Sequence, residues 1–291
     1  MENVQLAVSG LANGCVYGLI ALGFVMIYKA TEVVNFAQGD FMMLGAFLCI
    51  GFTNDGYLGL SFWLAVPMAI AAMALFGYLF DIAVLRRMAG QSQVAVVILT
   101  IAVGFILRFA AGEIWTHEPS SLQSPFVGRY LTFGGVTVGV NELVIIGTTL
   151  VLTGVLYVFF ARTKLGVAMQ AASQNQLAAY YMGIPVKRVA SLVWALSGAV
   201  AAIAGILFAT KGAVDPSAGL LGIKAYAAAA IGGFGSLPGA LVGGIIVGLV
   251  EPFASYYVAA GYSQVAPYAI LLLVLIFRPG GIFNQTMAKK V

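Results

Sequence analysis

Charge is what this sequence has least of. Of its 291 residues only 8% are Asp, Glu, Lys or Arg, where soluble domains carry about 25%. A surface facing water cannot be covered with so few charges, which excludes an ordinary soluble domain. Histidine is nearly absent: His117 is the sole one, and it sits in a polar loop. The two cysteines, Cys15 and Cys49, both fall in apolar runs and read as small core residues, not a disulfide or a metal pair. No G-x-x-x-x-G-K-[ST] run occurs, so the chain carries no P-loop. Gly232-Gly233-Phe234-Gly235 lacks both the spacing and the preceding strand of a dinucleotide turn. The net charge of +4 is spread over loops and forms no nucleic-acid patch. Hydrolytic and metal constellations are missing too, so the chain is not expected to be an enzyme.

What is present is apolar: 62% of the residues. Residues 3–28, 56–80, 88–107, 143–161 and 189–210 carry no charge at all. Each can cross a hydrocarbon core, which takes roughly 20 residues. Without period-2 alternation these segments are helices, because backbone groups in lipid must pair internally. The expected fold is all-α, a polytopic transmembrane bundle of about 8–10 spans, forming a single permease-like domain over residues 1–291. The expected spans are 6–28, 34–52, 60–81, 92–112, 141–160, 190–210, 219–233, 238–257 and 263–278. The second and seventh are the candidates for broken or re-entrant segments. The first has no basic segment before it and is expected to be retained, not cleaved as a signal.

Short loops rich in Lys and Arg face the cytoplasm. Arg86 and Arg87, then Arg162, Lys164, Lys187 and Arg188, then Arg278, Lys289 and Lys290 form three such groups. Placing all three inside puts the N-terminus outside and the C-terminus in the cytoplasm. Lys211 and Lys224 then fall outside, against the rule. The longest outer loop, about 113–141, holds turn formers such as Pro119, Pro125, Gly134 and Gly135. Asp81, Glu113 and Glu251 are expected at span ends, which leaves Asp40 as the acid set within a span.

Glycine spacing indicates close helix packing. Gly10, Gly14 and Gly18 recur every fourth residue, as do Gly235, Gly239 and Gly243. Residues 34–46 and 231–244 echo one another, each glycine-containing and each opening into a further span, as internal repeats of transporters do. The inner loop 161–189 is rich in Ala and Gln. It predicts a helix over 167–182 that stops at Gly183, with φ > 0, before Pro185. Such a helix suits docking onto a partner protein or lying on the bundle's own face.

That loop, with Ala171, Asn175, Ala178, Gly183 and Ile184, resembles the coupling loop of ABC importer permeases. The chain as a whole resembles the permease of branched-chain amino acid importers. The motifs that carry this are Asn35-Phe36-Ala37-Gln38-Gly39-Asp40 with Gly45-Ala46, Met182-Gly183-Ile184, Ala204-Gly205-Ile206-Leu207, Gly232 through Ala240, and Arg278-Pro279-Gly280-Gly281-Ile282. They occur in order over nearly the full length. The resemblance implies a bacterial inner-membrane importer. In it, a second permease, generally a different chain, pairs with this one. Two cytoplasmic ABC ATPases bind the ATP, and a periplasmic binding protein delivers a branched-chain or other hydrophobic amino acid. No cofactor is implied in this chain itself. Ala171, Asn175, Ala178, Gly183 and Ile184 would contact the ATPase. Asn35, Gln38, Asp40, Gly233 and Gly235 would line the substrate path or its gate. The family often has charges around Val167 to Asn175 where this chain has almost none, so ion-pair docking is not carried over. Relatives for urea or short amides are the competing reading within the class. A secondary carrier using Asp40 is the competing reading outside it.

Overall fold

A computed structural model of the protein describes residues 2–88, 90–133, 136–259 and 261–283. Lys289 and Lys290, and the loop glycines Gly134 and Gly135, lie outside the described residues. Each expected span is found as a helix: α1 (Glu2–Thr31), α2 (Gln38–Thr53), α3 (Phe62–Ala83), α4 (Gln93–Ile114) and α5 (Val140–Arg162) come first. Two short helices, α6 (Lys164–Gln174) and α7 (Gln176–Tyr181), fill the basic loop. Then follow α8 (Val186–Lys211), α9 (Leu221–Gly232), α10 (Leu237–Tyr257) and α11 (Tyr262–Phe277). Among the described residues six helices are long and apolar enough to cross a membrane. The exceptions are α2, α9 and α11. At 1.5 Å per residue, the 12 residues of α9 reach only about 18 Å.

Burial sorts the helices into a centre and a periphery. The apolar stretch of α1 is 89% buried and that of α8 67%, against 22% for α4 and α5. A helix that is apolar all round and buried belongs inside a bundle. Glycine makes the closest crossing possible. A Cβ on Gly248 would strike the backbone of Gly14, and one on Gly244 the backbone of Gly18. Thus α1 and α10 touch backbone to backbone, as expected from the spacing of Gly10, Gly14 and Gly18. In the second triplet Gly239 and Gly243 press on α9, whereas Gly235 faces open space.

The loop between α4 and α5 differs from the expectation of irregular turns. It contains an antiparallel hairpin, β1 (Tyr130–Phe133) and β2 (Val136–Gly139), in register Tyr130↔Gly139. The aromatic and β-branched residues flanking Gly134-Gly135 account for it. The same loop is tied to the end of α8 by a bridge between Ser120 and Val214, and it buries Leu122.

The basic loop also departs from a single helix over 167–182. Its first helix starts earlier, at Lys164, where Thr163 Oγ1 accepts from Gly166 N at 3.0 Å. It breaks at Asn175, whose backbone is extended and whose Oδ1 accepts from Ala178 N at 2.9 Å. Asn competes with the backbone for hydrogen bonds, so it caps a new helix instead of continuing the old one. Gly183 does close the second helix with φ +83, Ile184 N donating to Ala179 O at 3.0 Å.

Candidate functional site

Two interruptions in the helices meet inside the bundle. The first lies between α1 and α2. Its backbone is non-helical at 33–35, yet Asn35, Ala37 and Gln38 are fully buried. Irregular backbone at membrane depth survives only where protein satisfies its polar groups, and here side chains do so. Asn35 Oδ1 accepts from Ala37 N at 3.1 Å, and Thr100 Oγ1 on α4 accepts from Phe36 N at 3.2 Å. Gln38 Oε1 accepts from Asn35 Nδ2 at 3.2 Å and from Ser197 Oγ on α8 at 3.1 Å. Gln38 Nε2 is buried without an acceptor, wedged against Gly23 of α1. An unmet buried donor costs about 1–3 kcal/mol.

One turn on, Asp40 is 1% exposed and paired with Arg108 of α4, Nε to Oδ1 at 2.5 Å and Nη2 to Oδ2 at 3.3 Å. Gly104 and Gly219 flank the carboxylate so closely that a Cβ on either would strike it. Arg108 also lies 5.1 Å from the centre of the Phe105 ring. Placing an acid in the first turn of α2 suits the helix dipole, and the bidentate contact neutralises the charge. The sequence singled out Asp40 but not Arg108. A pair 68 positions apart leaves no local signal.

The second interruption lies between α9 and α10. Gly233 turns the chain with φ +96, a region that suits glycine. Ser236 caps α10, its Oγ accepting from Gly239 N at 3.1 Å, and Pro238 sits in the first turn, where its missing N–H costs little. The orphan carbonyls of α9 are met by the Arg278–Ile282 motif folding back. Ile282 N donates to Ile231 O at 2.9 Å and Phe283 N to Gly232 O at 3.2 Å.

Aromatic rings join the two interruptions. Tyr226 of α9 lies 5.3 Å from Phe36 and 5.4 Å from Phe234, centroid to centroid. Phe24 and Tyr28 of α1 complete the cluster, Tyr28 lying 5.1 Å from Phe234. A cavity of about 460 Å³ opens beside Tyr28, Tyr226, Phe234 and Gly235. So the turn that holds Asn35 and Gln38 meets these rings through Phe36, and the turn that holds Gly233 and Gly235 meets them through Phe234. No sequence period links Tyr226 to either turn, so the rings leave no local signal.

Other buried or inward-facing acids and bases are paired as well. Glu251 is not interfacial, as the sequence suggested, but 8% exposed, with Lys224 Nζ at 2.8 Å and Tyr17 Oη donating at 2.8 Å. Lys211 turns inward onto Asn13 Oδ1 and Ser9 O of α1. The two lysines that broke the positive-inside pattern are therefore both held by the protein. Asp81 is buried between Ser191 Oγ at 2.6 Å and Arg86 Nε at 3.4 Å. Glu113 does stay exposed.

At the end of the bundle that carries Arg86, α6 and α7 divide their faces. Met169, Ala172 and Ala179 are buried in the core. Tyr180, Tyr181 and Met182 are 67%, 77% and 82% exposed, and Leu177 is exposed beside them. Of the residues singled out here by sequence, Asn175 caps, Gly183 turns, Ile184 and Ala171 are half-buried, and Ala178 is exposed. They shape the segment, while the large residues between them project from it.

The permease component family of branched-chain amino acid transport systems matches residues 6–275. The high-affinity branched-chain amino acid transport system permease protein BraD of Pseudomonas aeruginosa is 31% identical, over 99% of this chain and 98% of its own. LivH, the corresponding permease of Escherichia coli K12, is 29% identical over 99% and 97%. A probable branched-chain amino acid transport permease LivH of Methanocaldococcus jannaschii is 30% identical over 91% and 87%. No solved structure matches. With more than nine-tenths of its length matched and a buried multi-helix core, the chain belongs to the family of branched-chain amino acid transport permease components.

Proposed function

We propose that this chain forms half of the pore of an ATP-driven importer for branched-chain or other hydrophobic amino acids. The observation that carries the reading is the exposed apolar tip of α7. Leu177, Tyr180, Tyr181 and Met182 stand out from an end of the bundle that also bears Arg86, Arg87 and Lys187. A contiguous exposed apolar patch at a polar end of a membrane protein marks a protein contact. The chain has no nucleotide loop, so the energy must come from the protein docked there. That partner is an ABC ATPase, in two copies. A second permease, a different chain, faces this one, and a periplasmic binding protein feeds the other end. The α7 end lies in the cytoplasm, with the N-terminus outside. Residues 161–189 are the coupling segment. Asn35, Gln38 and Asp40 with Gly233 and Gly235 form the gate, closed by the Tyr226 rings.

The substrate reading draws on the names of the relatives and on the aromatic lining of the paired turns. An ion-coupled carrier would need a free acid in a span. Asp40 and Glu251 both face a base, which removes the support for that alternative.

The test is co-expression with the cognate ATPases and second permease, purification by a tag on this chain, and leucine uptake in ATP-loaded liposomes supplied with binding protein. Wild type should recover the ATPase and take up leucine only with ATP. Tyr180→Ser with Tyr181→Ser should lose the ATPase while the helical bundle melts unchanged. Uptake by this chain alone without ATP would rule the reading out.

A further inference from the structure

A second cavity, of about 430 Å³, opens at the α7 end of the bundle, within the roughly 300–1,000 Å³ of small-molecule sites. It lies where α1 ends and α8 begins, directly past the first helix interruption. Val33, Val96, Val186 and Trp194 form an apolar part of its wall, and Thr31, Gln91 and Gln93 a polar part. Glu32 and Lys187 also line it. Among the described residues neither Glu32's carboxylate nor Lys187's ammonium has an ion-pair or hydrogen-bond partner. The cavity's other charges, Asp81 and Arg86, already neutralise one another.

Glu32 carries a further mark. It is the one described non-glycine residue with positive φ, at +56. It occupies the position after α1 where Gly or Asn is usual, its N–H donating to Tyr28 O at 2.8 Å. A carboxylate held at that position against backbone preference suggests a use for the side chain.

We infer that this cavity binds one aliphatic α-amino acid on the α7 side of the bundle, inside a single permease chain. Glu32 receives the α-ammonium, Lys187 the α-carboxylate, and the valines with Trp194 take the branched side chain. Lys187 sits just beyond Gly183 and Pro185, so an occupied cavity pins the start of α8 beside the coupling segment. This rests on the amino acid importer reading and adds a binding site to it.

The test uses the full chain in nanodiscs, without binding protein, with Trp63→Phe and Trp115→Phe so that Trp194 reports alone. L-Leucine should shift Trp194 emission saturably. 4-Methylpentanoate, which lacks the ammonium, and 3-methylbutylamine, which lacks the carboxylate, should bind at least tenfold more weakly. Glu32→Gln and Lys187→Gln should each weaken leucine at least tenfold. Glu32→Gly controls for folding: it relieves the backbone, so it should raise the melting temperature and still lose leucine. No saturable response, equal affinity for the one-charge analogues, or unchanged affinity in both Gln variants overturns the site. ATP-driven uptake by wild type without any Trp194 response sinks the site alone and leaves the importer reading standing.

Discussion

At the α1–α2 interruption polar side chains hold the backbone in place; at the α9–α10 interruption other stretches of backbone do. Asn35 within the first turn is joined there by Gln38, Thr100 and Ser197 from three helices, α2, α4 and α8. The second is closed by Gly233, by Ser236 and by the returning chain at Ile282 and Phe283. The first also has a buried ion pair one turn away. A turn built from side chains can be rearranged by rotamer changes, and the buried Gln38 Nε2 has no acceptor to hold it. A turn built from glycine and backbone is stiff. The pair therefore reads as a movable half and a fixed half, joined by the Tyr226 rings.

Substitutions can break this contrast. The largest effect should come from Arg108→Ala, which strands the Asp40 carboxylate in the bundle. Losing one partner of a buried pair costs about 3–5 kcal/mol, and thermal unfolding in detergent should show it. Asp40→Asn with Arg108→Gln should recover most of that loss, because no charge is left unpaired. A smaller loss, about 1–3 kcal/mol, should follow Gly233→Ala, which forces a Cβ into the positive-φ region. Gly235→Ala should change the melting point least, within about 0.5 kcal/mol, since a Cβ there meets nothing. If Gly235 proved as sensitive as Gly233, the stiff half would owe its shape to something other than that one turn.

Much of the bundle was legible because charge-free runs of roughly 20 residues have one stable answer in lipid. A helix stands at each of the nine expected positions, six of them long and apolar enough to cross a membrane among the described residues, and the close packing at Gly14 follows from the glycine spacing. Residues that act through distant partners were not legible. Arg108 carries no local mark within its expected span of 92–112, and its role needs the fold to carry it to Asp40. Glu251 looked like a span end and Lys224 an exception to the positive-inside rule for the same reason. The α6–α7 corner hinged on Asn175, a residue the sequence did mark but as a contact, when its side chain serves as a cap. The projecting Leu177, Tyr180, Tyr181 and Met182 were within reach of sequence reasoning: large apolar residues inside a polar loop are themselves a signal.

The most direct test of the movable half is ATP-driven leucine uptake by the reconstituted importer carrying Gln38→Leu. Leucine at this position keeps the volume but removes the amide that links Asn35, Ser197 and the unmet donor. The permease should stay folded and bound to its ATPase while uptake falls at least tenfold. Uptake at the wild-type rate would contradict it, and would move the gate away from the α1–α2 interruption.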